Sequence, residues 1–151
     1  NQRSQNVRVK DGLLTLEAHR ESYYENEYAL AKLTSNCKGK WRYGRIEVKT
    51  KLPNGRGTWP AIGLMPGQPQ YGSGGWPDNG EIDIMEHVGF DEGQVHCTIH
   101  CAAYNHRINT KSENQLCSPM QHISFISTAS SGGKIRLKAL STMKNIFHFQ
   151  I

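Results

Sequence analysis

Three acidic residues lie close together in the segment GEIDIMEHVG, residues 80–89: Glu81, Asp83 and Glu86, with apolar residues between them. Side chains alternate across a β-strand, so Glu81 and Asp83 are predicted to share one face while the apolar residues occupy the other. Strict alternation would point Glu86 into the core, where an unpaired carboxylate is costly. We therefore predict a β-bulge at 84–85 that returns Glu86 to the face of the other two acids.

The chemistry that suits this acidic row is glycoside hydrolysis. Retaining glycosidases use two carboxyl groups about 5–5.5 Å apart, one as nucleophile and one as general acid/base. Three neighbouring carboxylates cannot all ionise freely, so at least one pKa is expected to rise. Asp83 would then hydrogen-bond one glutamate and help to set which of them keeps the proton. The spacing leaves two alternatives open, a solvated acidic face and a site for a hard cation such as calcium.

Two tryptophans, Trp59 and Trp76, flank the loop that precedes the row. Indole rings combine a large apolar face with one N–H donor, which suits them to stacking on pyranose rings. Packing in the core is the ordinary alternative for each ring, and it stays open here. Acidic residues, tryptophans and glycine-rich loops together favour sugar chemistry.

Charge and hydropathy exclude two other classes of function. The net charge is +5, but the last acidic residue is Glu113, so the excess of basic residues belongs to a short C-terminal tail. No basic groove interleaved with aromatic residues is apparent, so we predict no nucleic-acid partner. No apolar run approaches the roughly 20 residues of a membrane helix, so we predict no membrane partner either.

The four cysteines permit up to two disulfides if the protein is exported. The segment HCTIHC, residues 96–101, also contains residue types that bind zinc. Zinc is disfavoured, because His96 and Cys97 are neighbours on a predicted strand and point to opposite faces.

The elements that position the row are predicted to be short β-strands. Residues 6–20 form a hairpin candidate with its turn at Asp11–Gly12. Further strands are predicted within 43–52, 81–88 and 94–104, and residues 66–80 are predicted to form a surface loop. Short strands separated by turn signals, without a helix longer than a turn or two, indicate an all-β antiparallel sandwich or barrel.

Three stretches carry a family resemblance: residues 43–61, GWPDNGEIDIMEHVG at 75–89, and VHCTIHCAAYNH at 95–106. Over about 6–106 the chain resembles glycoside hydrolase family 16, in its laminarinase-like branch. The resemblance implies an antiparallel two-sheet β-jelly-roll sandwich, of the concanavalin A-like kind, with a glucan cleft on its concave face. It also implies endo-acting hydrolysis of internal β-1,3-glucosidic bonds in laminarin-type glucans by a retaining double displacement.

The resemblance assigns a role to each acid of the row: Glu81 is the nucleophile, Asp83 its assistant and Glu86 the general acid/base. It implies a secreted protein, expected to be a monomer, whose partner is β-1,3-glucan. No cofactor is required and no metal is expected at the site. A structural calcium ion occurs in the family, but no residue of this chain can be assigned to it.

Four residues are predicted to contact the sugar. Trp76 would line the donor side of the cleft, and Trp59 is a second aromatic candidate. The resemblance places His100 near the cleavage point. Arg45 is a weaker candidate, whose alternative is a structural ion pair with Glu47.

The chain departs from the family pattern in two places. Ile62–Gly63 stands where an aromatic residue is expected, so packing or sugar stacking should be weaker there. Residues 1–115 are predicted to be the N-terminal two-thirds of the catalytic domain. Residues 116–151 are predicted to be a degenerate or frame-disrupted tail, without the C-terminal strands of the sandwich. This leaves two alternatives to an active enzyme, a non-catalytic β-1,3-glucan-recognition protein and an inactive fragment.

Overall fold

β-Strands dominate the computed structural model, which describes residues 4–41, 43–67, 75–110, 112–117, 123–129 and 135–141. The helical turns in this part of the chain are short 3-10 helices, Ser4–Asn6 and His106–Ile108. No helix among the described residues is long and apolar enough to cross a membrane. The strands are β1 Val7–Lys10, β2 Leu13–Leu16, β3 His19–Tyr23, β4 Asn26–Ala29, β5 Gly44–Thr50, β6 Ala61–Leu64, β7 Glu81–Glu86, β8 Gln94–His100, β9 Ser112–Cys117, β10 Ile123–Ala129 and β11 Ile135–Ser141.

The chain divides into two compact units, the first of which is Asn1–Lys40. This unit contains two antiparallel hairpins, β1–β2 and β3–β4. The predicted turn of the first hairpin is confirmed: Asp11 and Gly12 both adopt positive φ, at 52° and 75°, as a tight primed turn requires. The buried Asn6 side chain donates to the carbonyls of Glu17 and Ala29, at 3.0 and 3.1 Å, and so ties the unit together.

The second unit, Trp41–Ile151, contains two antiparallel sheets with the strand orders β6-β7-β8-β9 and β11-β10-β5. Its core draws on both sheets, because Ile46 of β5 packs against the same buried cluster as the apolar residues of β6 and β7. The predicted strands around the row are confirmed as β5, β7 and β8. The buried members of the cluster are Leu52, Ile84, Met85, Val95, Cys97 and Ile99.

The bulge predicted at 84–85 is confirmed on β7. β7 pairs with β6 at Asp83, opposite Gly63, and again at Met85, opposite Ile62. Ile84 is therefore an extra residue on β7, and the register of β7 against β8 shifts over the same stretch. Ile84 and Met85 are 2% and 1% exposed, so both side chains of the bulge enter the core. Two consecutive inward residues reset the alternation for the residue that follows.

The side chains of three of the four cysteines are described, and all three are free thiols: Cys37, Cys97 and Cys101. Cys97 is buried, and its Sγ donates to the carbonyl of Ile84 at 3.0 Å. The side chain of Cys117 lies outside the described part of the chain. Most of the predicted tail lies outside it as well, but the backbones of β10 and β11 are described. The division at residue 115 stays a prediction.

Candidate active site

The acidic row lies along β7, with Asp83 at its centre. Asp83 is 6% exposed, whereas Glu81 and Glu86 are half-buried. Burial, followed by the charges of Glu86 and Glu81, raises the pKa of Asp83 to about 7. The expectation that crowding raises at least one carboxyl pKa is confirmed, and the rise falls on the central acid. The charges of both glutamates act on Asp83, in agreement with a bulge that returns Glu86 to the face of the other two acids.

Each glutamate of the row receives a hydrogen bond from one of the two predicted tryptophans. Nε1 of Trp76 donates to Oε2 of Glu81 at 2.7 Å. Nε1 of Trp59 donates to Oε1 of Glu86 at 3.0 Å. A side-chain donor on one oxygen restricts the rotation of a carboxylate, so both glutamates are oriented before a ligand arrives. The sequence indicated these tryptophans as sugar contacts or as core residues and did not reveal that they donate hydrogen bonds to the acids.

His100 contacts the central acid from the neighbouring strand. Its Nε2 lies 3.5 Å from Oδ2 of Asp83, and both side chains are only 9% exposed. The register explains the contact, since β8 places His100 opposite Glu81 and two residue pairs from Asp83, so that the two side chains are diagonal neighbours on the same face. His100 therefore lies beside the row, and its predicted contact with sugar near the cleavage point stays a prediction.

A second group of side chains adjoins the Glu81 end of the row, and no motif in the sequence predicts a function for it. The ring centroid of His106 lies 4.9 Å from that of Trp76 and 5.6 Å from that of His100. The guanidinium carbon of Arg107 lies 4.6 Å from the Trp76 ring centroid, a cation–π distance. Arg107 Nη1 also donates to the backbone carbonyl of Trp76 at 3.3 Å. The only local signal was Asn105, a residue type that caps helical turns, directly before this pair.

Arg45 lies on β5 and forms an ion pair with Glu47, the structural alternative that the sequence left open. Both side chains are more than half exposed. They lie two residues apart on one strand and therefore share a face. Among the contacts of the described residues, none joins Arg45 to the acidic row. Its role in substrate binding stays a prediction.

Gly63 makes room for the central acid. A Cβ atom at this position would lie 2.9 Å from Oδ1 of Asp83, closer than side chains normally approach. The register pairs Gly63 with Asp83 directly, and Ile62 and Leu64 on either side pack against the core. The departure from the expected aromatic residue thus occurs on the face of the row and directly beside its most buried carboxyl group.

One group of side chains in the described part of the chain could hold a metal ion. The ligand atoms of Glu81, Asp83 and His100 all lie within 4.8 Å of one another. Calcium prefers six to eight oxygen ligands, which two carboxylates and an imidazole do not supply. The mixed oxygen and nitrogen donors suit a transition metal better. This group includes two acids of the row. A metal bound there would occupy carboxylates that glycoside hydrolysis needs for nucleophilic attack and proton transfer.

Comparison with known proteins gives consistent results. Residues 1–123 match the family model described as "Glycosyl hydrolases family 16". A protein named "Beta-glucanase" from Rhodothermus marinus is 49% identical over 123 residues, which are 82% of this chain and 43% of that protein. A "Glucan endo-1,3-beta-glucosidase" from Cryptopygus antarcticus is 38% identical over 106 residues, which are 67% of this chain and 38% of that protein.

The fold is also similar to a solved structure. The X-ray structure of the laminarinase from Rhodothermus marinus superposes with a TM-score of 0.88 and 40% sequence identity, covering 98% of this chain and 59% of that chain. This similarity confirms the predicted all-β jelly-roll class. The matched part of the chain corresponds to less than half the length of the two named relatives, at 43% and 38%, and to 59% of the solved laminarinase chain.

Proposed function

The chain belongs to glycosyl hydrolase family 16, as its sequence predicted, and on that premise we propose that its acidic row hydrolyses internal β-1,3-glucosidic bonds of laminarin-type β-glucans. One observation carries the proposal: two glutamates, each held by an indole N–H, adjoin a buried aspartate whose pKa is raised to about 7. A solvated acidic face would show neither the bound indoles nor the buried central acid.

The proposed reaction is a double displacement. Glu81 attacks the anomeric carbon, and Glu86 protonates the leaving glycosidic oxygen as the C–O bond breaks. Glu86 then removes a proton from water, which attacks the glycosyl–enzyme ester and releases Glu81. Trp76 occupies Oε2 of Glu81, and Oε1 has no hydrogen bond from the described residues, so Oε1 is the oxygen assigned to the attack.

Asp83 contributes through its protonation state. A carboxyl group with a pKa of about 7 is protonated in about half of the molecules at neutral pH. In that form it carries no charge and can donate a hydrogen bond. Its proton reduces the repulsion between three neighbouring carboxyl groups on one short strand segment.

The substrate proposal extends to the surroundings of the row. The ligand is a β-1,3-glucan chain that passes along Trp59, Trp76 and His100, and no cofactor enters the reaction. Extracellular localisation and a monomeric state complete the proposal, as the family resemblance implies.

The decisive experiment measures reducing-sugar release from laminarin by the chain and by its Glu81→Gln and Glu86→Gln variants, with Glu25→Gln as a matched control in an exposed turn. We expect activity in the parent and the control, and a loss of about 10³-fold or more in either row variant. With an aryl β-glucoside and azide, Glu81→Gly should yield the α-glycosyl azide and Glu86→Gly the β-glycosyl azide, which separates the two roles. A parent that melts cooperatively and binds laminarin without cleaving it would favour the glucan-recognition alternative. A parent that does neither would favour the inactive fragment.

A further inference from the structure

The loop that follows β8, residues 101–110, is fixed by its own hydrogen bonds. Asn105 is only 2% exposed and is the centre of this network. Its Nδ2 donates to the carbonyls of Cys101 and the next residue, at 3.0 and 3.3 Å. Its Oδ1 accepts from the backbone N–H groups of Arg107 and the next residue, also at 3.0 and 3.3 Å. Thr110 closes the loop by donating from Oγ1 to the carbonyl of Ala103 at 2.8 Å.

This rigid loop presents two exposed side chains, His106 and Arg107, to one indole ring. The guanidinium of Arg107 contacts Trp76 twice, over the ring at 4.6 Å and at the backbone carbonyl at 3.3 Å. The imidazole of His106 lies against the same ring at 4.9 Å, inclined by 35°. Trp76 is thus restrained at both its backbone and its ring by residues 30 and 31 positions later in the chain.

We propose that Arg107 is a positioning residue for Glu81, acting through Trp76. The inference rests on the proposed function of Glu81 as nucleophile. The indole N–H must point at Oε2 of Glu81 to make a bond of 2.7 Å, and that direction is set by the backbone and the ring plane of Trp76. Arg107 contacts both of these features with one planar group, which a lysine or an aliphatic side chain cannot reproduce in full.

Positioning differs from direct contact with sugar in its kinetic effect. If Arg107 orients the nucleophile, its loss lowers kcat and leaves KM within about twofold, because the reacting carboxylate is misaligned while the other proposed sugar contacts still bind the ground state. If Arg107 binds the glucan itself, its loss raises KM. A cation–π contact combined with one hydrogen bond in an exposed setting predicts a change in kcat of about tenfold.

The test compares Arg107→Met, Arg107→Lys and, as a matched control in the other unit, Arg20→Met. The chain has three tryptophans, so its indole ¹H–¹⁵N spectrum contains three signals, which Trp→Phe variants assign. We expect hydrogen exchange of the Trp76 indole to accelerate about tenfold in Arg107→Met, with a smaller change in Arg107→Lys and none in Arg20→Met. Unchanged exchange at Trp76 in Arg107→Met would overturn the proposal.

Kinetics on laminarin provide the second readout. Arg107→Met should lower kcat about tenfold with KM within about twofold of the parent, and Arg107→Lys should restore kcat to within about threefold. A raised KM with the parental kcat would overturn the positioning role in favour of a sugar contact. The spectrum does not depend on catalysis, so an inactive parent would refute the proposed function while the indole exchange still decides whether Arg107 holds Trp76.

Discussion

The raised pKa of Asp83 makes a quantitative prediction about the stability of the chain. An aspartate in an unfolded chain titrates at about 3.9, whereas burial and the two neighbouring glutamates raise the pKa of Asp83 to about 7. The folded state therefore prefers the protonated form. The contribution of Asp83 to stability is fully present below about pH 4 and is lost as the pH rises through 7.

The size of the effect follows from the separation of the two pKa values. About three pH units correspond to about 4 kcal/mol if the site is fully shielded from solvent. Asp83 itself is buried, but the glutamates that contribute to its shift are half-buried and their charges are partly screened. We therefore expect the contribution of Asp83 to the free energy of unfolding to fall by about 2 kcal/mol, rather than by the full value, between pH 4 and pH 8.

The assay is urea unfolding of the parent and of Asp83→Asn at several pH values over that range. The difference in unfolding free energy between the two chains removes titrations that they share. It should shift by about 2 kcal/mol in favour of the variant from pH 4 to pH 8, because the asparagine acquires no charge. The matched control is Asp11→Asn, in an exposed turn whose positive φ asparagine also tolerates, and its difference should stay flat. A flat difference for Asp83→Asn, or a shift in favour of the parent, would refute the reasoning.

Three further predictions concern the surroundings of the row. Trp59→Phe removes the indole donor at 3.0 Å from the proposed general acid, and kcat on laminarin should fall about fivefold; an unchanged kcat would contradict this. Gly63→Ala places a Cβ 2.9 Å from Oδ1 of Asp83 and should lower the free energy of unfolding by about 1–3 kcal/mol, measured in urea, whereas a neutral result would mean that the carboxyl group moves freely. Iodoacetamide at pH 8 should label the exposed Cys37 of the folded chain and leave Cys97 unmodified, because burial raises the pKa of Cys97 to about 12. Peptide mass spectrometry detects the label at both sites, and a labelled Cys97 would contradict its burial.

The features that the sequence predicts well are those that depend on neighbouring residues, such as the alternation of apolar and polar side chains along a strand. The conflict between period-two alternation and the position of Glu86 is sufficient to locate the bulge, because an unpaired carboxylate in the core would be too costly. The same reasoning places the turn at Asp11–Gly12, since few residue types adopt positive φ at two consecutive positions. In both cases the deciding information lies within six residues.

The features that sequence does not predict are contacts between distant segments. Trp59 and Glu86 lie 27 residues apart, and Arg107 and Trp76 lie 31 apart. No periodicity links residues at such separations, so the tryptophans could be read as sugar platforms but not as hydrogen-bond partners of the acids. Gly63 illustrates the same limit. The sequence shows only that a glycine replaces the expected aromatic residue, whereas the register shows that this position lies directly opposite Asp83.

The two indole–glutamate bonds also bear on why the proposed roles of the glutamates differ. Both acids receive the same kind of donor, so hydrogen bonding alone does not distinguish a nucleophile from a proton donor. The surroundings of their indole donors do: Trp59 is 65% exposed beside Glu86, whereas Trp76 is half-buried beside Glu81 and packs against His106 and Arg107. A general acid/base must exchange protons with water in every turnover, and the open side of the row suits that task. A nucleophile must form and release a covalent bond in one fixed geometry, for which the enclosed side, held by the loop after β8, is the better support.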